Sequence, residues 1–209
     1  MKIWSDSFQD GGPIPARYAF GRLDPASRVA LSDNLNPHLA WREAPVGTRS
    51  FALVCVDPDV PSAGDDVNQE GRLVPASLPR VEFFHWILVD IPARITGLAA
   101  GECSNGVTPR GKHGPSAERG MRHGVNDYTA WFASDPDMAG DYFGYDGPCP
   151  PWNDTIVHRY VFTVYALDVD VLPLMGRFHG ADAMKVIEHH ALGRASITGT
   201  YTLNPELVS

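Results

Sequence analysis

Three segments rich in apolar residues predict the main strands of the protein. Residues 51–56 and 83–89 are apolar on both faces, which is typical of strands that are covered on both sides of a sheet. Residues 158–167 are rich in β-branched and aromatic side chains, which also favour strands. Residues 196–202 predict a fourth strand, which Gly199 weakens because glycine adds no side chain to the packing.

One stretch near the C-terminus has the period of a helix. Met184, Ile187 and Ala191 are spaced so that they share one helical face. Asp182 is a suitable N-cap and Gly193 a suitable C-terminal stop, so the pattern predicts a helix between them.

Two long segments, residues 62–80 and 103–126, lack a clear period and predict loops. The second contains a local group of basic side chains, which indicates either the solvation of a mobile loop or the steering of a charged ligand: Arg110, Lys112, Arg119 and Arg122. The pattern alone leaves both interpretations open.

Composition strengthens the prediction of a mostly β protein. The chain has 209 residues, of which 20 are Gly and 18 are Pro, and this content indicates many turns rather than a helical bundle. The length fits one large domain covering residues 1–209.

Charge and cysteine content narrow the class of protein. The formal net charge of −8 disfavours binding to nucleic-acid backbones. The chain has neither an apolar run long enough for a membrane span nor the apolar stretch of a secretory signal, so we expect a cytoplasmic protein. The three cysteines are not clustered and lack metal-binding spacing, so we expect no disulfide framework and no zinc knuckle. We also expect no other metal site and no cofactor.

The candidate chemistry consists of polar residues within or at the ends of the apolar strands. His85 lies in the middle of a strand and needs a hydrogen-bond partner or a ligand. His158 and Tyr160 are two residues apart on another strand, so their side chains share a face. Asp57 and Asp59 flank a proline where the first strand is expected to end.

A further candidate is the rigid Gly147-Pro148 segment, which could present a bare backbone N–H group to a ligand. Each of these signals also has a purely structural interpretation: a satisfied core histidine, an Asx turn or a stiff loop. Two histidines, a tyrosine and two aspartates also resemble a metal or acid–base site, but the known metal-binding and nucleophile motifs are missing.

Taken in order along the chain, these motifs resemble the phosphatidylethanolamine-binding protein family. The matching parts are the Asp-Pro-Asp segment at 57–59, the strand with His85, Gly147-Pro148 and the His-Arg-Tyr at 158–160. Further segments at 36–41, 47–51 and 195–201 look like the bacterial, Raf-kinase-inhibitor-like branch.

The resemblance implies a fold with a large central antiparallel sheet, a smaller second sheet and peripheral and C-terminal helices. It also implies a small pocket that binds phosphate or the phosphoryl headgroup of phosphatidylethanolamine. The residues implied as ligand-binding are Asp57, Asp59, His85, Gly147, Pro148, His158 and Tyr160.

These observations lead us to expect a binding protein without turnover. His85 and His158 would donate hydrogen bonds to the anion, helped by the Tyr160 hydroxyl and the Gly147 amide, and binding would weaken above about pH 7 as imidazolium is lost. One alternative is a hydrolase of small phosphate esters, and another is an interaction protein that inhibits a kinase or a protease. A protein partner is unknown at this stage, and a homodimer is left open because some bacterial relatives are dimeric.

Overall fold

A five-stranded antiparallel sheet dominates the computed structural model, which describes residues 1–208. Its strand order is β10-β9-β5-β6-β8, so β5 lies at the centre between β9 and β6. The strands of this sheet are β5 (Ser50–Pro61), β6 (Arg80–Pro92), β8 (Arg122–His123), β9 (His158–Leu167) and β10 (Ala191–Tyr201).

Two smaller sheets and short helices surround the large sheet. A three-stranded antiparallel sheet contains β1 (Lys2–Trp4), β4 (Leu39–Arg42) and β7 (Gly97–Leu98). A hairpin contains β2 (Gly21–Asp24) and β3 (Arg28–Leu31). The helices are α1 (Tyr128–Trp131), α2 (Gly180–His190) and the 3₁₀ turns Ala16–Tyr18 and Glu118–Gly120. The expected mostly β architecture is confirmed.

The central strands are covered on both faces, as their apolar sequences predict. Alternate residues of a strand point to opposite faces. Leu53 of β5 therefore packs into one core cluster with Trp41 and Phe162. The neighbouring Val54 packs into a second cluster with Ile187 of α2.

Strand β5 is longer than the apolar run suggests. It continues through the Asp-Pro-Asp-Val-Pro segment to Pro61, where a turn was expected, and its register with β6 shifts between Asp57 and Val60. The pairing of β5 with β9 ends at Val56. Pro58 and Pro61 lie beyond that point, so prolines fit the strand where one of its edges no longer pairs with β9.

The C-terminal helix exists but has different ends from those expected. It begins at Gly180 with His179 as its N-cap, and Asp182 lies inside its first turn. It ends at His190 and leads directly into β10, so Gly193 belongs to a strand rather than to a helix stop. Gly180 contacts the ring of Phe84 so closely that a side-chain carbon would lie 2.2 Å from Cγ of that ring.

The basic side chains of the 103–126 loop are directed into contacts with the protein itself. Lys112 pairs with Asp146, Arg119 with Glu102 and Arg122 with Asp90. These contacts disfavour the solvated-loop interpretation for those three side chains.

None of the helices in the described part of the chain is long and apolar enough to cross a membrane.

Candidate ligand-binding site

A cavity of about 460 Å³ opens where three strands of the large sheet meet the β2–β3 hairpin and α1. Four of the seven residues singled out in the sequence line it: Asp57, His85, His158 and Tyr160. They come from β5, β6 and β9 and together form what we call the polar floor. The other lining residues are mainly apolar and include Phe20, Val29, Leu31, Val60, Val67, Phe83, Trp131, Phe132 and Met138.

His85 is buried, and one of its nitrogens is held by the backbone. Nδ1 donates a hydrogen bond to the Asp146 carbonyl oxygen at 2.7 Å, because a carbonyl oxygen can only accept. In the neutral ring this bond leaves the proton on Nδ1 and the lone pair on Nε2. Burial lowers the pKa of His85, and the nearby Asp57 carboxylate opposes that shift only in part.

His158 is fully buried, and both of its nitrogens contact carboxylates. Nδ1 lies 2.7 Å from Asp57 Oδ2, and Nε2 lies 3.0 Å from Asp154 Oδ2. Burial alone would lower the pKa of this imidazole, but the hydrogen bonds to Asp154 and Asp57 outweigh it and raise the pKa to about 9. The ring is therefore a charged bridge between two carboxylates.

This geometry corrects the expected role of His158 as a direct donor to a ligand. Each imidazolium nitrogen carries one proton, and both protons are engaged by carboxylates. Arg80 extends the chain of charges with two hydrogen bonds to Asp154. His158 instead orients Asp57 at the polar floor.

Tyr160 is fully buried beside His85, with the two ring centroids 5.1 Å apart in an edge-on arrangement. Burial raises the pKa of its phenol well above the usual value, and the Asp57 charge adds to the shift. The hydroxyl therefore keeps its proton at neutral pH and can act as a hydrogen-bond donor.

Asp59 lies near the polar floor but is not among the residues that line the cavity. Arg159, whose side chain points to the opposite face from His158, binds the Asp59 carboxylate with two guanidinium nitrogens, at 2.9 and 2.7 Å. Burial alone would raise the pKa of Asp59, but the hydrogen bonds from Arg159 outweigh it and lower the pKa. The Asp59 backbone N–H donates to Asp57 Oδ1 at 2.7 Å, so this residue supports Asp57 from behind.

Gly147 and Pro148 are also not among the residues that line the cavity, and they support its wall from behind. The Gly147 N–H, expected to face a ligand, donates to Asn34 Oδ1 at 2.8 Å. The Pro148 carbonyl accepts hydrogen bonds from the backbone of Phe20 and Gly21, which fixes the hairpin wall. A side-chain carbon at Gly147 would lie 2.2 Å from the Tyr18 carbonyl oxygen, so this close approach requires glycine.

Sequence reasoning did not single out Asp154, which completes the bridge through His158. The available signal was its position four residues before His158, in a polar stretch that leads into β9. Val29 and Leu31 of the hairpin and Trp131 of α1, which we call the apolar wall, were also missed, because these elements carry no motif.

The site has the donors and acceptors of a binding pocket but no activated nucleophile among its thiols. Cys149 lines the cavity, and burial raises the pKa of its thiol to about 12, so the thiolate is scarce at neutral pH. Within residues 1–208, no group of three or more His, Cys, Asp or Glu side chains is arranged to hold a metal ion.

Comparisons with known proteins agree with this architecture. Residues 4–202 match the family model described as phosphatidylethanolamine-binding protein. The UPF0098 protein YbhB of Escherichia coli K12 is 31% identical over 202 residues, covering 97% of this chain and all of the relative. A UPF0098 protein of Methanothermobacter thermautotrophicus is also 31% identical, over 96% of this chain and 98% of its own length.

Solved structures show the same fold. The crystal structure of E. coli YbcL, described as a new member of the mammalian PEBP family, superposes with a TM-score of 0.68 at 25% identity. That match covers 96% of this chain and 97% of YbcL. A putative homologue from Chlamydia trachomatis gives a TM-score of 0.63 at 24% identity, over 96% of this chain and 95% of the homologue.

Proposed function

The chain belongs to the phosphatidylethanolamine-binding protein family, and from that premise we propose that its cavity binds small phosphoryl anions, either phosphate or a phospholipid headgroup, without chemical turnover. Membership in the family supports a role as a binding protein in general terms. The choice of ligand rests on the cavity itself.

The observation that carries the proposal is a polar floor at the base of a mostly apolar cavity. A headgroup of phosphoethanolamine size fills only part of about 460 Å³. A ligand with a charged head and an apolar remainder therefore matches both regions, with the head at His85 and Tyr160. Apolar contact would add to the affinity in proportion to the area that is buried.

Proton uptake by His85 is the central step of the proposed binding. Burial keeps the His85 ring neutral in the unliganded protein, and an arriving anion stabilises its protonated form. The new N–H at Nε2 then donates a charge-assisted hydrogen bond, which contributes about 1.5–3 kcal/mol. Tyr160 supplies a second donor.

The other residues predicted to bind the ligand act indirectly, by holding other parts of the site in place. The His158 imidazolium holds Asp57 in place, and Asp59 supports the same carboxylate through its backbone N–H. Asp57 also offers its negative charge to the ammonium group of a zwitterionic headgroup. Gly147 and Pro148 hold the hairpin that forms one wall.

Calorimetric titration tests the proposal with three probes: O-phosphoethanolamine, inorganic phosphate and ethanolamine. We expect the two phosphoryl compounds to bind and ethanolamine alone to bind far more weakly. His85→Gln should reduce the affinity for phosphoethanolamine about tenfold or more, as loss of one charge-assisted hydrogen bond requires.

His123→Gln is the matched control, because His123 is also a buried histidine but lies outside this cavity. Equal affinity in wild type and His85→Gln, or no binding of either phosphoryl compound, would contradict the proposal. Release of phosphate from an ester that stops in His85→Gln would instead support the hydrolase alternative.

A further inference from the structure

A buried aspartate outside the cavity is hydrogen-bonded to His85 through its backbone. Asp146 has no solvent exposure, and it is not among the residues that line the cavity. Buried aspartates are uncommon, and their charge must be matched by hydrogen bonds and a counter-ion. Asp146 has both, and its position next to Gly147 places it in the segment that supports the cavity wall.

The backbone of Asp146 holds His85 at two points. The Asp146 carbonyl oxygen accepts the hydrogen bond from His85 Nδ1 at 2.7 Å. The Asp146 N–H donates to the His85 carbonyl oxygen at 3.1 Å. The orientation of the imidazole, and the nitrogen that carries its proton, therefore depend on where this one peptide unit lies.

The side chain of Asp146 fixes that peptide by joining three separate loops. Oδ1 accepts hydrogen bonds from Asn34 Nδ2 at 2.7 Å and from Lys112 Nζ at 2.6 Å, and Oδ2 accepts from Asn126 Nδ2 at 2.9 Å. Asn34 Oδ1 in turn accepts from the Gly147 N–H. We refer to Asp146, Asn34, Lys112 and Asn126 as the Asp146 cluster.

We infer that Asp146 is a positioning residue for ligand binding: its carboxylate, held by the Asp146 cluster, sets the orientation and the tautomer of His85. The inference rests on the proposed function for its consequence, since a misplaced Nε2 cannot meet a phosphoryl oxygen. The tautomer itself can be measured without any ligand. Lys112 is part of the Asp146 cluster, so the basic loop contributes to the site without contacting the ligand.

The charge on Asp146 is one of several that act on His85. The carboxylates that act on His85 are Asp57 of β5, Asp127 of the segment before α1, and Asp146. The β9 face contributes Tyr160 and the charged His158, and α1 contributes Tyr128. Removal of the Asp146 charge therefore takes away one of three groups that favour the protonated imidazole.

Nitrogen NMR of the histidine side chains in the 209-residue chain provides the test. In wild type we expect His85 to carry its neutral proton on Nδ1. In Asp146→Ala we expect a mixture of tautomers, together with about a tenfold loss of affinity for O-phosphoethanolamine. Asp90→Ala is the matched control, because Asp90 is a buried carboxylate paired with Arg122 and is not among the residues lining the cavity. It should leave the His85 signals unchanged.

Asp146→Asn provides a second measurement that does not depend on the alanine variant being folded. It keeps the size of the side chain but replaces the carboxylate that accepts from Lys112 and Asn126, so His85 should again show a mixture of tautomers and should titrate at a lower pH than in wild type. A wild-type tautomer of His85 in Asp146→Asn overturns the inference, as does a folded Asp146→Ala with a wild-type tautomer and affinity.

The two proposals fail in different ways. If the variants change His85 as expected but wild type binds no phosphoryl compound, the proposed function is wrong and the positioning role of Asp146 is supported. If wild type binds phosphoethanolamine and the Asp146 variants behave like Asp90→Ala, the positioning role is wrong and the proposed function is supported.

Discussion

His85 and His158 lie in the same cavity, yet their surroundings drive the two imidazoles towards opposite charge states. His158 meets a carboxylate at each nitrogen, which raises its pKa to about 9 despite burial. His85 meets a neutral carbonyl at Nδ1, and burial lowers its pKa. At neutral pH the cavity is therefore lined by one charged and one neutral imidazole, and each has a separate consequence for measurements across pH.

The charged bridge through His158 should make the free energy of unfolding depend on pH. The pKa of this residue is about 9 in the folded protein and about 6.5 when unfolded. Its contribution is therefore complete below about pH 6.5 and is lost as the pH rises through about 9, with an upper limit of about 3 kcal/mol.

Denaturant titrations at several pH values measure this effect. In His158→Gln we expect a lower stability at about pH 6 and a much smaller decline towards about pH 9. A wild-type stability that stays constant over this range would show that the bridge does not carry the charge assigned to it.

The neutral state of His85 should make anion affinity rise as the pH falls. In the proposed binding step His85 takes up a proton, so affinity should increase as the pH is lowered from about 8 towards the depressed pKa of His85 in the unliganded protein. A phosphodiester such as glycerophosphoethanolamine is the suitable probe, because the charge of its phosphoryl group is constant over this range. His158 stays protonated below about pH 9 and contributes little to the trend.

Calorimetry in buffers of different ionisation enthalpy reports the proton uptake directly. We expect net uptake in wild type near neutral pH and none in His85→Gln, whose affinity should vary little with pH. If the affinities of wild type and His85→Gln depend equally on pH, His85 is not the group that takes up a proton on binding.

At the scale of the elements, local sequence was sufficient where a strand is defined by its own side chains. β9 has the predicted bounds, 158–167, because its β-branched and aromatic run coincides with its pairing to both β5 and β10. The ends of β5 and α2 were misjudged, since they depend on partners distant in the chain. β5 continues past its prolines because β6 still pairs with it. The first residue of α2 lies against the ring of Phe84, where a residue larger than glycine would collide with that ring.

The close packing of α2 against β6 should make Gly180 sensitive to substitution. An alanine in place of Gly180 would ordinarily favour a helix, but its side-chain carbon would lie within 2.2 Å of the Phe84 ring. We expect Gly180→Ala to lower the free energy of unfolding by about 1–3 kcal/mol. Phe84 directly precedes His85, so the displacement should also weaken ligand binding.

Gly64→Ala is the control for stability alone, because no heavy atom lies within 4 Å of the added carbon but Gly64 lines the cavity. Its stability should stay within about 0.5 kcal/mol of wild type. If Gly180→Ala is as stable as this control, the close packing of α2 against β6 is not a constraint on the fold.

At the scale of the molecule, the cavity is assembled from segments that are far apart in the chain. The polar floor could be anticipated because a polar residue in an apolar strand needs a partner, whether protein or ligand. The apolar wall could not, since Val29, Leu31 and Trp131 gain their role only when the hairpin and α1 come together over the floor. The same holds for Asp146, whose partners come from three loops.

If the cavity binds phosphoryl anions as proposed, the apolar wall should make affinity depend on the length of an alkyl chain attached to the phosphoryl group. Each buried methylene contributes at most about 0.8 kcal/mol, a factor of about four in Kd. Affinity should therefore rise from ethyl to butyl to hexyl phosphate and level off once the cavity of about 460 Å³ is filled.

Exposed residues allow the wall to be tested without disturbing the core. Leu31 is 58% exposed at the cavity, whereas Val171 is 63% exposed and is not among its lining residues. Leu31→Ser should reduce the gain from ethyl to hexyl phosphate, and Val171→Ser should leave it unchanged. If wild type binds all three phosphates equally, the ligand touches the polar floor alone, and the wall must then serve the packing of the hairpin rather than recognition.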